Sequence, residues 1–315
     1  MMPTLPKLVV NANLYTALFP VTAHGVVMHN FCVPASKQRI QAWLDQLFAE
    51  PTGGEVRYEA LGDRLFFAIA EIAELRAVGP EGGKGYTSEI DTALWILARK
   101  VGGKPTDLRF IPSWLFVDSG EALASGREVW GFPKQIGRFD FSPQTSEPGA
   151  ARDFTVSTQV VETFGHDAKA QLAPIFEARP RQKSERKHGI LGSLEAFAEH
   201  MAQRVVGELA NIAAHVNTVL AGGNVTMAFL KQFPHAPDPH LACYQGVVES
   251  EASVLKMRRS GITQDHYDVR ITSYDSHPFA EALGVESGWQ DAGEASWVEF
   301  DFEQKLGQQI WVAPT

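Results

Sequence analysis

Residues 126–139 read GREVWGFPKQIGRF and place one lysine, Lys134, directly after a proline and among long apolar side chains. Pro133 fixes its own φ and pushes Phe132 towards an extended backbone, so Lys134 leaves a constrained main chain. Its neighbours Val129, Trp130, Phe132 and Ile136 are apolar, which is not the pattern of an amphipathic surface. Two readings fit such a lysine. It can snorkel, laying its stem on apolar surface while the ammonium reaches water. It can instead be a Schiff-base nucleophile. Imine formation needs a neutral amine, and an ordinary lysine with a pKa of ~10.4 is neutral in under about 0.1% of molecules at pH 7. Lowering that value by ~4 units costs roughly 5 kcal/mol of charge stabilisation. Burial among apolar groups or a neighbouring cation can do this.

Working outward, the 315 residues suffice for one large domain or two small ones. A hydrophobic share of 44% with 21% charged residues is that of a soluble globular chain and excludes the disordered and collagen-like classes. Lysine and arginine number 28 against 37 acidic residues, a formal net charge of -9. Such a balance argues against a general nucleic-acid binder, which needs a dominant basic field. Cys32 and Cys243 are the two cysteines, far apart and outside any CxxC pair, so a reducing cytoplasm is expected. The first residues lack a basic region followed by a continuous apolar one, and no run reaches the ~18 apolar residues of a membrane span.

Most of the chain reads as strands. EVRYEALGDRLFFAIAEIAEL (55–75) has two apolar-rich runs about Gly62-Asp63, which predicts a hairpin turn there. DLRFIPSWLFVD (107–118) is extended, with Pro112 marking an edge or a bulge. Ile90 to Ile96, FTVSTQVVETF, CYQGVVESEASVLKMR, YDVRITSYD and the alternating WVEFDFE continue the β pattern. DSGEALASG (118–126) predicts a short helix, capped by Asp118 or Ser119 and stopped by Gly126. From Leu194 to Leu220 apolar residues recur every three or four positions, predicting a long helix between Ser193 and Gly222-Gly223. The basic stretch RPRQKSERKHG (179–189) before it reads as a solvated linker. One domain over residues 1–315, with an insertion at about 182–222, is the economical division.

Other motifs fail on spacing. GPEGGKGY is one residue short of a phosphate-binding loop and has Gly85 after its lysine. HAPDPH offers His235, Asp238 and His240, but prolines make it a turn and the spacing matches no metal site. His24 and His29 share neither helical nor strand spacing.

The segment from Gly126 resembles the acetoacetate decarboxylase family, which carries Gly-Arg-Glu, a short spacer and Pro-Lys-Lys, its first lysine forming an imine. The matching positions are Gly126, Arg127, Glu128, Pro133 and Lys134. YTSEIDTALWI resembles the family's Tyr-x-Glu segment, making Glu89 the match to its active-site glutamate. Glu71 matches a second acidic position, for which Glu74 competes. NVTMAFLKQF and YQGVVESEASV are similar to the family's later strands. The likeness runs from about residue 24 to 285 and leaves the last thirty residues outside it. Two positions depart from the pattern. The family's second lysine is Gln135 here, and an arginine near its N-terminal region falls at His24. A guanidinium suits carboxylate recognition better than a titratable imidazole.

The resemblance implies a β-rich α+β fold, antiparallel sheets forming a closed cone-like barrel with a helical insertion, and a homo-oligomer. It implies a carbon–carbon lyase acting on a small keto acid through a Lys134 imine, with no cofactor or metal and with neither nucleic acid nor membrane as partner. Glu89 would orient substrate or move a proton, and Arg127 and Glu128 would form a supporting ion pair. Decarboxylation leads. An aldolase-dehydratase acting on a 2-oxo acid, favoured by Gln135 and His24, is the alternative, and a catalytically silent binding protein is the third reading.

Overall fold

Alternation makes the strands, yet each carries two apolar sets rather than one. In RLFFAIAEIA (64–73), Leu65, Phe67 and Ile69 share one face while Phe66, Ala68, Ala70 and Ile72 share the other, and all seven are buried. A strand covered on both faces reads as a nearly continuous apolar run. The computed structural model describes residues 20–104, 106–144, 147, 149–181 and 224–314, and its topology shows what covers each face.

Seven strands form a ring within a larger mixed sheet. β1 (Val21–Pro34) pairs antiparallel with β3 (Arg64–Ala77), β3 with β4 (Thr87–Lys100), and β4 with β5 (Leu108–Val117). On its other side β1 pairs with β12 (Trp289–Gln304), β12 with β11 (Asp238–Ile271), and β11 with β10 (Asn224–His235). A parallel bridge between Met227 of β10 and Phe110 of β5 closes the circuit. The closed cone-like barrel implied by the resemblance thus takes the form of a ring whose seam is a single bridge. β12 lies beyond the stretch that carries the resemblance, yet it joins β1 to β11.

Three strands continue from β11 and cover the outside of this ring: β9 (Gln171–Pro180), β8 (Asp153–Val160) and β7 (Arg138–Ser142). Phe31, Phe67 and Phe116 point outward from β1, β3 and β5 and meet Phe154 and Phe176 of the covering strands. Ile40 and Leu44 of α1 (Lys37–Leu44) and Phe279 and Leu283 of α3 (Phe279–Leu283) complete this outer core. The inward-facing residues enclose a cavity instead.

Several elements differ from the sequence reading for local reasons. Gly62-Asp63 does not reverse the chain. β2 (Tyr58–Ala60) and β3 both run antiparallel to β4, with Ala60 opposite Ala98 and Phe66 opposite Trp95. The Pro112 bulge is present, since Leu94 pairs with Trp114 and Trp95 with Pro112. Ser113 is the extra residue, and its hydroxyl donates to Leu94 O at 2.9 Å. The bulge flips the side-chain parity, so Ile111 and Phe116 both face outward while Phe110 and Leu115 face inward. GPEGGKGY becomes the connection between β3 and β4, and HAPDPH the turn between β10 and β11, with His235 opposite Asp238. The stretch read as a linker begins inside the fold: Arg179 and Pro180 belong to β9, and Arg181 pairs with Asp268 and Asp291. The helix expected over 194–220 lies outside the described residues. No helix among the described residues is long and apolar enough to cross a membrane.

Phe67 is fully buried, 5.4 Å from the Phe31 ring and 5.2 Å from the Phe176 ring. Phe67→Ala is expected to lower unfolding stability by about 3–5 kcal/mol, measured by urea denaturation. A loss below about 1 kcal/mol would contradict an outer core that ties the covering strands to the ring.

Candidate active site

The site is built where α2 (Gly120–Val129) hands the chain to a short strand, β6 (Lys134–Ile136). Ser119 caps the helix, its side chain accepting from the Ala122 N–H, and Glu121 sits in the first turn. Gly126 does not stop the helix, which runs on to Val129. Its missing side chain has another use. A Cβ there would lie 2.6 Å from Cδ and 2.8 Å from Cε of Lys134. The lysine stem crosses the helix over this glycine.

β6 runs parallel to β5, with Lys134 beside Leu115 and Gln135 beside Phe116. Leu115 faces the cavity and Phe116 the outer core, so the pairing sends Lys134 inward and Gln135 outward. Lys134 is 9% exposed, which removes the snorkelling reading. Its Nζ donates to Glu89 Oε1 at 2.7 Å and lies 5.6 Å from the Phe132 ring centre. Arg127, exposed on α2, donates from Nη1 to the Lys134 carbonyl oxygen at 3.1 Å and so holds the main chain of the lysine.

Glu89 and Asp91 stand two residues apart on β4 and therefore share its inner face. Asp91 retains some accessible surface because it faces the cavity, but it is set deep in the protein. Burial first, and then the Glu89 charge, push its pKa up to about 7, against a smaller opposing effect of Lys134. Asp118 follows in the same direction through burial, while its carboxylate accepts from the Ile90 N–H at 3.0 Å.

Glu89, Asp91 and Lys134 open on a cavity of about 310 Å³. Its polar lining among the described residues is Asn30, Glu89, Asp91, Ser125, Lys134 and Gln304, and every other lining residue is apolar or aromatic. Ser125 donates to Glu121 O at 2.7 Å, and Gln304 donates to Ser250 Oγ at 2.7 Å. The Asn30 amide makes no side-chain hydrogen bond among the described residues, so it is available to a bound molecule.

The remaining expected site residues lie elsewhere. Glu71 has the parity of Phe67 and Ile69, faces out of the ring and pairs with Arg152 at 2.6 Å. Glu74 bonds Arg76 at 2.8 Å. His24 precedes a bulge at Gly25 (φ 63°) and stands 3.7 Å from Asp301, half-exposed and outside the cavity lining. No Arg127–Glu128 ion pair forms among the described residues; both side chains are exposed. Gln135 Oε1 lies 3.0 Å from Nε2 of the buried His277, across the sheet from the cavity. A lysine at that position would not adjoin the Lys134 ammonium, so the departure at Gln135 leaves the cavity's charge unaltered. Sequence reasoning missed Asp91 and Asn30. The signal for Asp91 was present in the alternation of Glu89-Ile90-Asp91, whereas nothing local marked Asn30.

A family model described as acetoacetate decarboxylase matches residues 84–244, about half of the chain. Comparison with curated proteins finds no match. Among solved structures, the acetoacetate decarboxylase of Legionella pneumophila is 11% identical with a TM-score of 0.61, over 98% of this chain and 93% of its own. An acetoacetate decarboxylase-like enzyme from Sphingomonas wittichii is 12% identical, with a TM-score of 0.57 over 95% of each chain. The enduracididine biosynthesis enzyme MppR, solved with pyruvate, is 14% identical, with a TM-score of 0.54 over 94% of this chain and 91% of its own. Identities this low establish a shared fold.

The raised pKa of Asp91 makes stability depend on pH. The native state keeps a proton that the unfolded chain releases above its ordinary pKa of 3.8. The contribution of Asp91 is therefore full below that pH and lost as pH rises through about 7. Urea unfolding at a series of pH values is expected to show a fall in stability across this window, shallower in Asp91→Asn. An identical slope in the variant would contradict the assignment.

Proposed function

The chain belongs to the acetoacetate decarboxylase family, and on that premise we propose that Lys134 is the nucleophile of a decarboxylating carbon–carbon lyase that binds its keto acid as an imine. The observation that carries this reading is the Lys134–Glu89 hydrogen bond, 2.7 Å long and buried in an otherwise apolar cavity. Buried ion pairs contribute little net stability, and Asp91, with its raised pKa in the same cavity, marks the space as a candidate functional site. Glu89 is placed to take the ammonium proton as a carbonyl carbon arrives. The freed amine adds to the ketone, and loss of water leaves an iminium. The bond to the carboxylate then breaks, its electron pair moving into the iminium to give an enamine while CO2 departs. Asp91, protonated near neutral pH, supplies the proton to the enamine carbon and is recharged from solvent. Water hydrolyses the resulting iminium, releasing the ketone and the lysine.

The cavity favours this outcome electrostatically. Lys134 is its only cationic lining residue among those described. A carboxylate brought there gives up hydration without a second cation to replace it, and leaving as neutral CO2 removes that penalty. Gln135 and His24, the residues that favoured an aldolase-dehydratase, both lie outside the cavity lining, so decarboxylation is the better-supported reading.

Borohydride reduction in the presence of a keto acid panel is expected to add the substrate mass to the peptide containing Lys134. Lys134→Met should abolish both adduct and CO2 release. Gly126→Ala, which crowds the lysine stem, should lower kcat/KM by about tenfold or more. Full turnover in Lys134→Met, or the absence of any adduct with every keto acid tested, would refute the imine.

A further inference from the structure

Resting on the imine reading, we infer that the substrate is a 3-oxo acid with a long uncharged apolar tail, decarboxylated to CO2 and a long-chain methyl ketone. Volume is the first observation. The cavity measures about 310 Å³, about ten times the roughly 30 Å³ share of a liquid water molecule. It falls at the lower end of the roughly 300–1,000 Å³ typical of drug-sized ligand sites. A substrate of acetoacetate's size would leave much of the apolar wall without contacts, forfeiting dispersion energy.

The distribution of polarity is the second. Glu89, Asp91 and Lys134 cluster on β4 and β6, while β11 and β12 across the ring present Val254, Met257, Val298, Phe300 and Phe302, beside Gln304, whose amide already donates to Ser250. These apolar side chains offer no hydrogen-bond partner to a polar body, whereas a hydrocarbon tail removes their surface from water. Methionines at Met28 and Met257 adapt to tails of differing shape.

Charge is the third. No arginine or histidine lines the cavity among the described residues. Lys134 is already paired with Glu89, and Asp91 adds negative charge as it ionises. A second carboxylate on the substrate would meet repulsion and lose hydration with no cation to replace it, only the neutral Asn30 amide. The one carboxylate the site accommodates is the one lost as CO2. The tail carries none.

CO2 release from 3-oxobutanoate, 3-oxohexanoate, 3-oxooctanoate and 3-oxodecanoate tests this directly. Each added methylene is expected to raise kcat/KM about fourfold, so each pair about fifteenfold, until the cavity is full. Ala252→Phe, which adds a ring to the lining, should flatten the series. 3-Oxodecanedioate, with a terminal carboxylate, should be about tenfold or more poorer than 3-oxodecanoate. Highest kcat/KM with 3-oxobutanoate, or equal turnover of the diacid, overturns the inference while leaving the lyase reading intact. If no acid releases CO2, the lyase reading has failed separately, and displacement of an apolar fluorophore decides the cavity. Displacement by 2-undecanone at concentrations about a hundredfold or more below acetone supports the apolar-tail site. Equal concentrations overturn it.

Discussion

An ammonium and a carboxylate taken out of water hold their charges only by meeting each other, and Lys134 Nζ meets Glu89 Oε1 at 2.7 Å inside an apolar ring. Removing either partner would leave the other buried and unpaired, at a cost of about 3–5 kcal/mol. The surrounding architecture serves this one contact. β6 lies parallel to β5 so that Lys134 turns inward beside Leu115. Gly126 clears the path of the lysine stem, and Arg127 grips the lysine's carbonyl from the solvent side. Gly131 (φ 93°) turns the chain where a Cβ would lie 2.6 Å from the Lys231 Cα. The two glycines of GREVWGF therefore admit a side chain and a neighbouring strand at distances no other residue permits.

A ring whose inner faces line a cavity must find its packing elsewhere. Here the outward faces of the strands supply it, with β7, β8 and β9 laid over them and an aromatic chain from Phe31 through Phe67 and Phe176 to Phe116 joining the layers. The inner faces are thereby released from the demand for close packing and can line a cavity. That division puts Glu89 and Asp91 on the dry side of β4, where burial and mutual repulsion keep Asp91 protonated to near neutral pH. One carboxylate partners the lysine and the other holds a proton, from positions two residues apart on the same strand.

Part of the candidate site was legible in the sequence. Lys134 stood out by its proline and its apolar neighbours and the Ser119 cap by its side chain, while Glu89 came from the resemblance of its segment to the acetoacetate decarboxylase family. Glu71 was misplaced because an acidic residue on a strand can face either way. Its register opposite Ile90 and its pairing with Arg152 put it on the outer face. Gln135 was given a role beside Lys134 because it stands where the resembled family has its second lysine, whereas adjacent residues in a strand point to opposite faces. Gly62-Asp63 looked like a reversal because turn chemistry is local, while the choice of β4 as common partner for β2 and β3 is not.

By itself the sequence determined the strands, the capped helix, the lysine after proline and the absence of a dominant basic field, all of which follow from periodicity, propensity and charge along the chain. Only the tertiary structure decided which face of each strand became cavity and which became core, because that depends on pairing partners far apart in the chain. Ring closure between β10 and β5, and the joining of β1 to β11 by β12, set those faces. With them came the company of Lys134: Glu89 within hydrogen-bond reach, Asp91 and Asn30 around the same space, and Gln135 on the other side of the sheet.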